Sequence, residues 1–585
     1  MNLKVILEQM ARRYPDKAAI VLGQQRLSYA ELDSDSGKLA HALRQLGVKK
    51  GDRVAAMLSN SPEYAAVYFG VASTGAITVP LDTRYKPVEL AVVLASCQPK
   101  VLLTEQPFLA SLATDLSRFP SVEHVIDVSP VPDPRFISYR QIVTSTPTRE
   151  AAAEITQEDI ALINYTSGPI TNPRGAMITH HNLITDATMS AVAFRQTEKD
   201  VVMLFALPIY HMFGFTTALL CAIIQGSTII MVPGTGISIN SLLASIEKEK
   251  GTILLGVPYI FSLAAKMAKR EGVKNDLSSL RLCASGGAPL PVNVIHQFKK
   301  YYGLTILNIW GLTEAVSHVT CPPLERLKIG TAGKPLPGWD LKIDDNGKEV
   351  PPSEPGEIII KGPTMSGYYN NPKATRKVLR SGWLHTGDIG ILDEEGYLRI
   401  TGRKKKMIIL KGQNVYPGDI EKVLLTHPRI ATAKVVGIPD NLRGEIVGAI
   451  ITPKYGETIT DQEVRHYCQQ RMADYRSPKQ IIFTEAPQPF LAKYTREPIK
   501  RYLSRLSNLT PSPYKGVEDV LRSHPKIAEA RVYSMTDRVR GEILKAVIRI
   551  KEGEKVTEAE IRHFCQQKLS NYKFLRQITF TKAKL

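Results

Sequence analysis

Cysteine and tryptophan are scarce in this sequence, with six and three copies in 585 residues. The cysteines stand at 97, 221, 283, 321, 468 and 565, with no Cys-x-x-Cys pair. That pattern excludes a disulfide framework and a structural zinc site, and it fits a reducing, cytoplasmic compartment. A long apolar helix is also lacking. Residues 201–246 contain no Asp, Glu, Lys or Arg, a length that could cross a bilayer. Pro208, Gly214, Gly226, Pro233, Gly234 and Gly236 cut that stretch into short pieces, so no transmembrane segment is expected. The N-terminus, MNLKVILEQMARRYPDKAAI, has no apolar run closed by small residues. It reads as an amphipathic helix rather than a signal peptide. With 43% hydrophobic and 22% charged residues the composition is globular, neither disordered nor collagen-like. The length suggests roughly three to five domains.

Positive charge is in excess, 75 Lys+Arg against 56 Asp+Glu, and it is unevenly placed. Residues 1–401 hold 40 basic and 37 acidic residues; residues 402–585 hold 35 and 19, so the net +19 divides into +3 and +16. A tail of that kind fits phosphate-bearing small molecules, peripheral contact with an anionic membrane, or nucleic acid. No nucleic-acid recognition module accompanies it, so no nucleic-acid partner is expected.

The first 400 residues alternate short apolar runs with helix-period segments. RVAAMLSN, ITVPL, KVLLTE, HVIDV, IALINYTSG, VVMLFALP, STIIMVPG, TILLGVP and LRLCASGG are strand candidates. FTTALLCAII and PEYAAVYFGVASTG read as helices. The order predicts a multidomain α/β protein whose large N-terminal domain, 1–401, is built of layered sheets and helices. After residue 330 shorter strands with Gly and Pro turns predict a β-rich subdomain.

The last third repeats itself. A shift of 97 residues aligns EKVLLTHPRIATAKV (421–435) with EDVLRSHPKIAEARV (518–532), and DQEVRHYCQQRMADYR (461–476) with EAEIRHFCQQKLSNYK (558–573). Across 418–488 and 515–585, 32 of 71 positions are identical without a gap. The expected layout is a small α+β C-terminal domain at 402–505, a linker at 506–513, and a truncated second copy at 514–585.

The sharpest chemical motif is Tyr165-Thr-Ser-Gly-Pro-Ile-Thr-Asn-Pro-Arg-Gly175. Read as a strand-to-helix loop, its hydroxyls, glycines and Arg174 suit phosphate oxygens. It is not a Walker A motif, because no Gly-Lys-Ser/Thr closes it. Four more segments follow in order: Ser285-Gly-Gly-Ala-Pro-Leu-Pro291, Ile309-Trp-Gly-Leu-Thr-Glu-Ala315, Trp383-Leu-His-Thr-Gly-Asp388 and Gly402-Arg-Lys-Lys-Lys-Met-Ile408. Together they resemble the adenylate-forming superfamily of acyl-CoA synthetases, adenylation domains and luciferases, over about residues 10–500.

The resemblance implies an ATP-dependent acyl-CoA ligase. A carboxylate attacks the α-phosphate of ATP, giving acyl-adenylate and pyrophosphate, and the thiol of CoA then displaces AMP. It implies catalytic roles for Lys493, Glu314, Thr313 and His211, with Glu314 holding Mg²⁺. It implies nucleotide contacts from Thr166, Ser167, Gly168, Arg174, Gly175, Gly287, Ala288, Trp310, Gly311, Asp388 and Arg403. Lys405 would be the hinge of a mobile lid, and Lys411, Gly412 and Gln413 would face the CoA tunnel once the lid has rotated. His211, Phe213, Val257 and Tyr259 would line a hydrophobic acid pocket, and a medium- or long-chain fatty acid is the expected substrate.

Two departures qualify the resemblance. Pro169, Ile170 and Thr171 stand where the superfamily has Thr, Thr and Gly, which removes hydrogen-bonding groups and mobility from the phosphate loop. Ala492 replaces the Gly before Lys493. The second copy keeps the folding residues of the first but has no match to the Gly402–Lys405 segment, so docking, dimerisation or limiting lid rotation are the roles expected of it. Two alternatives stay open: transfer to a carrier-protein thiol, and a nucleotide- or acyl-adenylate-binding pseudoenzyme.

Overall fold

The computed structural model describes residues 1–585 except 86, 107, 110–118, 146–153, 167–172, 233–237, 346, 404–407, 411–412, 441–442, 455–456, 484–520, 538–540, 555, 559, 562–563, 565–574 and 582–585. The chain divides into two compact units, Met1–Gln488 and Pro489–Leu585.

In the first unit all nine predicted strands form, and they sort into two sheets. One runs Ile306–Asn308, Leu282–Ser285, Ile253–Gly256, Val201–Leu204, Thr228–Met231, Ala18–Leu22, Gln25–Ser28. Only its last pair is antiparallel. The other runs Gly367–Tyr368, Gly175–Thr179, Ile160–Tyr165, Ile77–Pro80, Arg53–Met57, Val101–Thr104, His124–Asp127, Ile137–Ser138. Strands such as Val101–Thr104, Ile253–Gly256 and Leu282–Ser285 are buried at every residue. That is why they read as unbroken apolar runs: a parallel strand covered on both faces has no polar side to show.

Helix Pro62–Ala72, started by the Ser61 cap and Pro62, is buried at every position but Glu63. Its Tyr68 ring stacks on Phe215 at 3.8 Å. Phe215 belongs to Phe213–Leu220, which has π-helical hydrogen bonding and continues into the α-helix Cys221–Gln225. The helical part of the charge-free stretch, 213–223, is therefore core. No helix among the described residues is long and apolar enough to cross a membrane.

The β-rich subdomain is antiparallel, with the order Lys348–Glu349, Asp340–Asp345, Gly356–Lys361, Trp383–Leu392, Leu379–Arg380; Leu398–Arg403 pairs on Trp383–Leu392. Next comes a five-stranded sheet whose centre is the hairpin Ile430–Asp440/Gly444–Pro453, with Gln480–Phe483 parallel to its second strand. Helices Pro417–Leu425 and Asp461–Arg471 belong to this module. In the second unit the hairpin Ile527–Asp537/Gly541–Ile550 and the parallel strand Leu575–Thr581 form a three-stranded sheet around Leu521, Val532, Ala546 and Ile548.

One reading changes. The phosphate-loop segment does not lead into a helix. It joins two antiparallel strands, with Ile160 opposite Thr179 and Tyr165 opposite Gly175, and the helix His180–Phe194 starts only afterwards. Thr179 and Asn182 form a reciprocal cap that fixes that start. Gly175-Ala-Met-Ile-Thr179 is too short for its period to be told from the first turn of a helix. The described ends of this loop therefore belong to paired strands, not to a helix.

Candidate active site

The strand Gly175–Thr179 sets the centre of the site. Gly367–Tyr368 pairs with it, Tyr368 opposite Ala176. The Tyr368 hydroxyl donates to Glu314 Oε1 at 2.7 Å, and the Arg174 guanidinium lies 5.5 Å over the Tyr368 ring. Thr166 N–H donates to the Arg174 carbonyl at 2.9 Å, closing the base of the loop. Arg174, Glu314 and Tyr368 thus form one cluster, drawn from segments almost two hundred residues apart. Burial, and then the nearby Glu314 carboxylate, push the Tyr368 hydroxyl pKa up, so the phenol keeps its proton and stays a donor.

Glu314 sits in the 3-10 turn Thr313–Ala315, and its carbonyl accepts from Met365 N–H at 2.9 Å. Gly311, just before it, has no alternative: a Cβ there would lie 1.5 Å from the Ser317 carbonyl oxygen. Gly175 is similarly confined, its would-be Cβ 2.5 Å from Ile163. Gly287 has φ +76° and follows the strand end at Ser285, with Ala288 half-buried beside it. Gly287 and Gly311 follow the parallel strands Leu282–Ser285 and Ile306–Asn308 at their carboxyl ends, where ligands of such folds bind.

A second cluster adjoins the first. Trp310 Nε1 donates to Asp388 Oδ2 at 3.0 Å, and Arg403 contacts both Asp388 oxygens, its Nη2 at 3.3 Å from Oδ2. Asp388 lies opposite Arg403 in the strand pair and is 2% exposed. Burial pushes its pKa up, with Arg403 and the Trp310 hydrogen bond opposing. Glu357 buttresses the turn, accepting from Gly387 N–H at 3.0 Å while its other oxygen meets His385 Nδ1 at 3.1 Å.

The segment 207–213 is pinned on three sides. Asn60 bonds the Leu207 carbonyl and Ile209 N–H, Tyr68 donates to the Ile209 carbonyl, and Asn164 donates to the Tyr210 carbonyl. A Cβ on Gly214 would strike the Pro208 carbonyl at 2.2 Å. Solvent reaches His211, yet surrounding protein desolvates its ring and holds its pKa below the usual imidazole value, with Arg84 adding to this and Asp82 opposing. Its Nδ1 accepts from Phe213 N–H at 3.3 Å. Phe213 in turn approaches Gly286, where a Cβ would come 3.4 Å from its ring.

Of the residues singled out from sequence, Thr166, Arg174, Gly175, Trp310, Gly311, Thr313, Glu314, Asp388 and Arg403 thus fall on these adjoining segments. Gln413 is on the strand Gln413–Val415, just before Tyr416. Ser167, Gly168, Lys405, Lys411, Gly412, Lys493 and the linker 506–513 lie outside the described residues. Sequence reasoning missed Tyr368, Glu357 and Tyr416. Tyr416 is half-buried, and burial, followed by Glu314, raises its pKa, with Arg403 and Arg174 opposing. Each is a single residue in an unremarkable segment, so only the fold could single it out.

The family of AMP-binding enzymes matches residues 7–369, and the AMP-binding enzyme C-terminal domain matches twice, at 419–490 and 516–585. The long-chain-fatty-acid–CoA ligase of Bacillus subtilis strain 168 is 34% identical over 528 residues, covering 85% of this chain and 93% of that one. A feruloyl-CoA synthase of an Amycolatopsis species is 33% identical, covering 81% and 93%. Among solved structures, a double mutant of the Bacillus subtilis o-succinylbenzoate CoA synthetase, bound with a product analogue, superposes with TM-score 0.74 at 27% identity, over 85% of this chain and 98% of that one. The chain belongs to the AMP-binding enzyme family. It is an AMP-forming acid–thiol ligase of the acyl-CoA synthetase type.

Proposed function

We propose that this ligase activates a medium- or long-chain fatty acid through an acyl-adenylate and passes the acyl group to CoA. The observation that carries this reading is the joining of the two clusters, Arg174–Tyr368–Glu314 and Trp310–Asp388–Arg403. The first half-reaction brings an anion to a polyanion, so developing charge has to be met by fixed donors and cations. Arg174 supplies a cation at the phosphate loop, and Lys493 is assigned the contact with the acyl carboxylate and α-phosphate. Asp388 is assigned the ribose hydroxyls and Trp310 the adenine face, with Thr313 beside the phosphates.

Glu314 fits a Mg²⁺ ion carried by the phosphates: its carboxylate is a hard oxygen donor oriented by Tyr368, and Mg²⁺ takes few protein ligands. The ion would neutralise phosphate charge. Phe213, Val257 and Tyr259 with Gly286 offer an apolar wall for the acid beside His211. A fatty acid is also what the named activity of the Bacillus relative supports. An aryl acid is the second reading, favoured by the relatives named for feruloyl and o-succinylbenzoyl substrates.

Acid-dependent exchange of pyrophosphate into ATP, run over a panel of fatty and aryl acids with CoA consumption as second readout, tests the proposal. Exchange and CoA loss with fatty acids are expected. Exchange with aryl acids alone would replace the substrate, and no exchange with any acid would sink the ligase reading. Replacing Pro169, Ile170 and Thr171 by Thr, Thr and Gly is expected to raise the exchange rate.

A further inference from the structure

The first C-terminal module meets the rest of its unit through a buried carboxylate. Glu89 lies in the first turn of helix Pro87–Cys97 and is 2% exposed. Its Oε2 accepts from Ala473 N–H at 3.0 Å, and its Oε1 accepts from Arg476 Nη1 at 3.0 Å. Among the described residues this is the one ion pair in which both side chains are under a tenth exposed, at 7% and 2%. Arg476 Nε donates to the Tyr475 hydroxyl at 3.0 Å, and Arg84, itself held bidentately by Asp82, lies 4.7 Å over the Tyr475 ring.

A buried ion is tolerated only while its partner stays in place. Glu89 and Arg476 are therefore satisfied in one orientation of the lid, and a rotation of the module would return both to water. In that same orientation the lid brings Tyr416, next to Gln413–Val415, within electrostatic reach of Glu314, Arg403 and Arg174. This is the segment assigned to the thiol's approach. We infer that Glu89 is a positioning residue, acting through Arg476 and Ala473, that holds the lid in the orientation for thiol transfer and not in the one for adenylate formation. The inference rests on the ligase reading above and names the residues that decide its second step.

The test separates the half-reactions in the full chain. Glu89→Gln keeps an acceptor for Ala473 and removes the charge; Arg476→Leu probes the contact from the lid side, should Glu89→Gln melt early. Pyrophosphate–ATP exchange is expected to stay within about threefold of the unchanged chain in both. Transfer from preformed acyl-adenylate to CoA is expected to fall at least about tenfold, because the transfer orientation loses its differential stabilisation. Glu89→Asp should restore part of the transfer rate, and the double variant Glu89→Gln/Arg476→Leu should lose less than the two single losses combined. Equal falls in both half-reactions, or an unchanged transfer rate, would overturn the inference. Absence of exchange in the unchanged chain would instead strike the ligase reading.

Discussion

In the first C-terminal module Ile430 pairs with Pro453 and Asp440 with Gly444; in the second Ile527 pairs with Ile550 and Asp537 with Gly541, every number higher by 97. Even the register shift recurs, after Ile430 in one and after Ile527 in the other. The caps match as well: Thr460 and Glu463 have their counterparts in Thr557 and Glu560. His427 meets Tyr467 edge-on at 4.6 Å, and His524 meets Phe564 at 4.7 Å. Where the copies differ, a pair changes together. Thr432 bonds Thr452 at 2.9 Å across the first hairpin, both buried, whereas the corresponding Glu529 and Arg549 form an ion pair at 2.6 Å, each about a third exposed.

Cross-strand neighbours are the unit of sheet stability, so a hairpin accepts either solution provided both members agree. The copies diverge again where the first touches the N-terminal region. Ala473 and Arg476, bonded to Glu89, become Ser570 and Lys573, and the loop carrying Gln413 has no sequence counterpart. The duplication kept a scaffold and let its docking face drift. The sheet pairing is thus shared by both copies, while the sequence at the positions matching Ala473 and Arg476 is not.

Measurements on each region would break or sharpen this contrast. Lys493→Ala should lower pyrophosphate–ATP exchange by about 10²–10³-fold, the usual loss for one charge-stabilising donor. Lys573→Ala, at the position matching Arg476, should leave both half-reactions unchanged, and a fall there would make the second copy a working part.

Acid should next set the N-terminal region apart. Burial holds His318 down at about 3 and His180 at about 4. Below about pH 6.5 the unfolded chain takes up protons that these folded sites refuse, so stability falls as pH drops towards those values. The slope is about 1.4 kcal/mol per pH unit for each histidine, read as melting temperature against pH. His318→Gln should flatten it. His427 and His524 are both lowered as well, chiefly by burial, so both copies should also lose stability as pH drops below the ordinary histidine range.

Thr432→Ala should cost the first module about 1 kcal/mol in denaturant unfolding, the worth of one buried hydrogen bond whose partner is left behind. Glu529→Ala in the second copy should leave exchange untouched. Deleting 507–585 should leave exchange and CoA transfer within about twofold. Complete loss in a still-folded truncation would give the second copy a catalytic part.

The fold was legible where burial is two-sided. Nine apolar runs became nine strands because a covered parallel strand cannot carry polar residues without leaving them unpaired. The Gly175–Thr179 strand was not legible, since five residues beside a loop satisfy a helix and a strand equally. In the site, Gly311, Glu314, Asp388 and Arg403 stood out because their segments, taken in order, resemble those of the adenylate-forming superfamily. Tyr368 and Glu357 did not, for their importance lies in which side chain they touch.

The sequence by itself determined the duplication, because that is residue types recurring at a fixed spacing, and it carried the class of chemistry through the resemblance of its ordered segments to a known superfamily. Tertiary structure alone decided that Tyr368 steadies Glu314, that Trp310 and Arg403 share Asp388, and that Glu89 receives the first C-terminal module. Those are meetings of segments up to several hundred residues apart, and no local pattern encodes them. They come from the stacking of whole sheets and helices, which is settled only when the core closes.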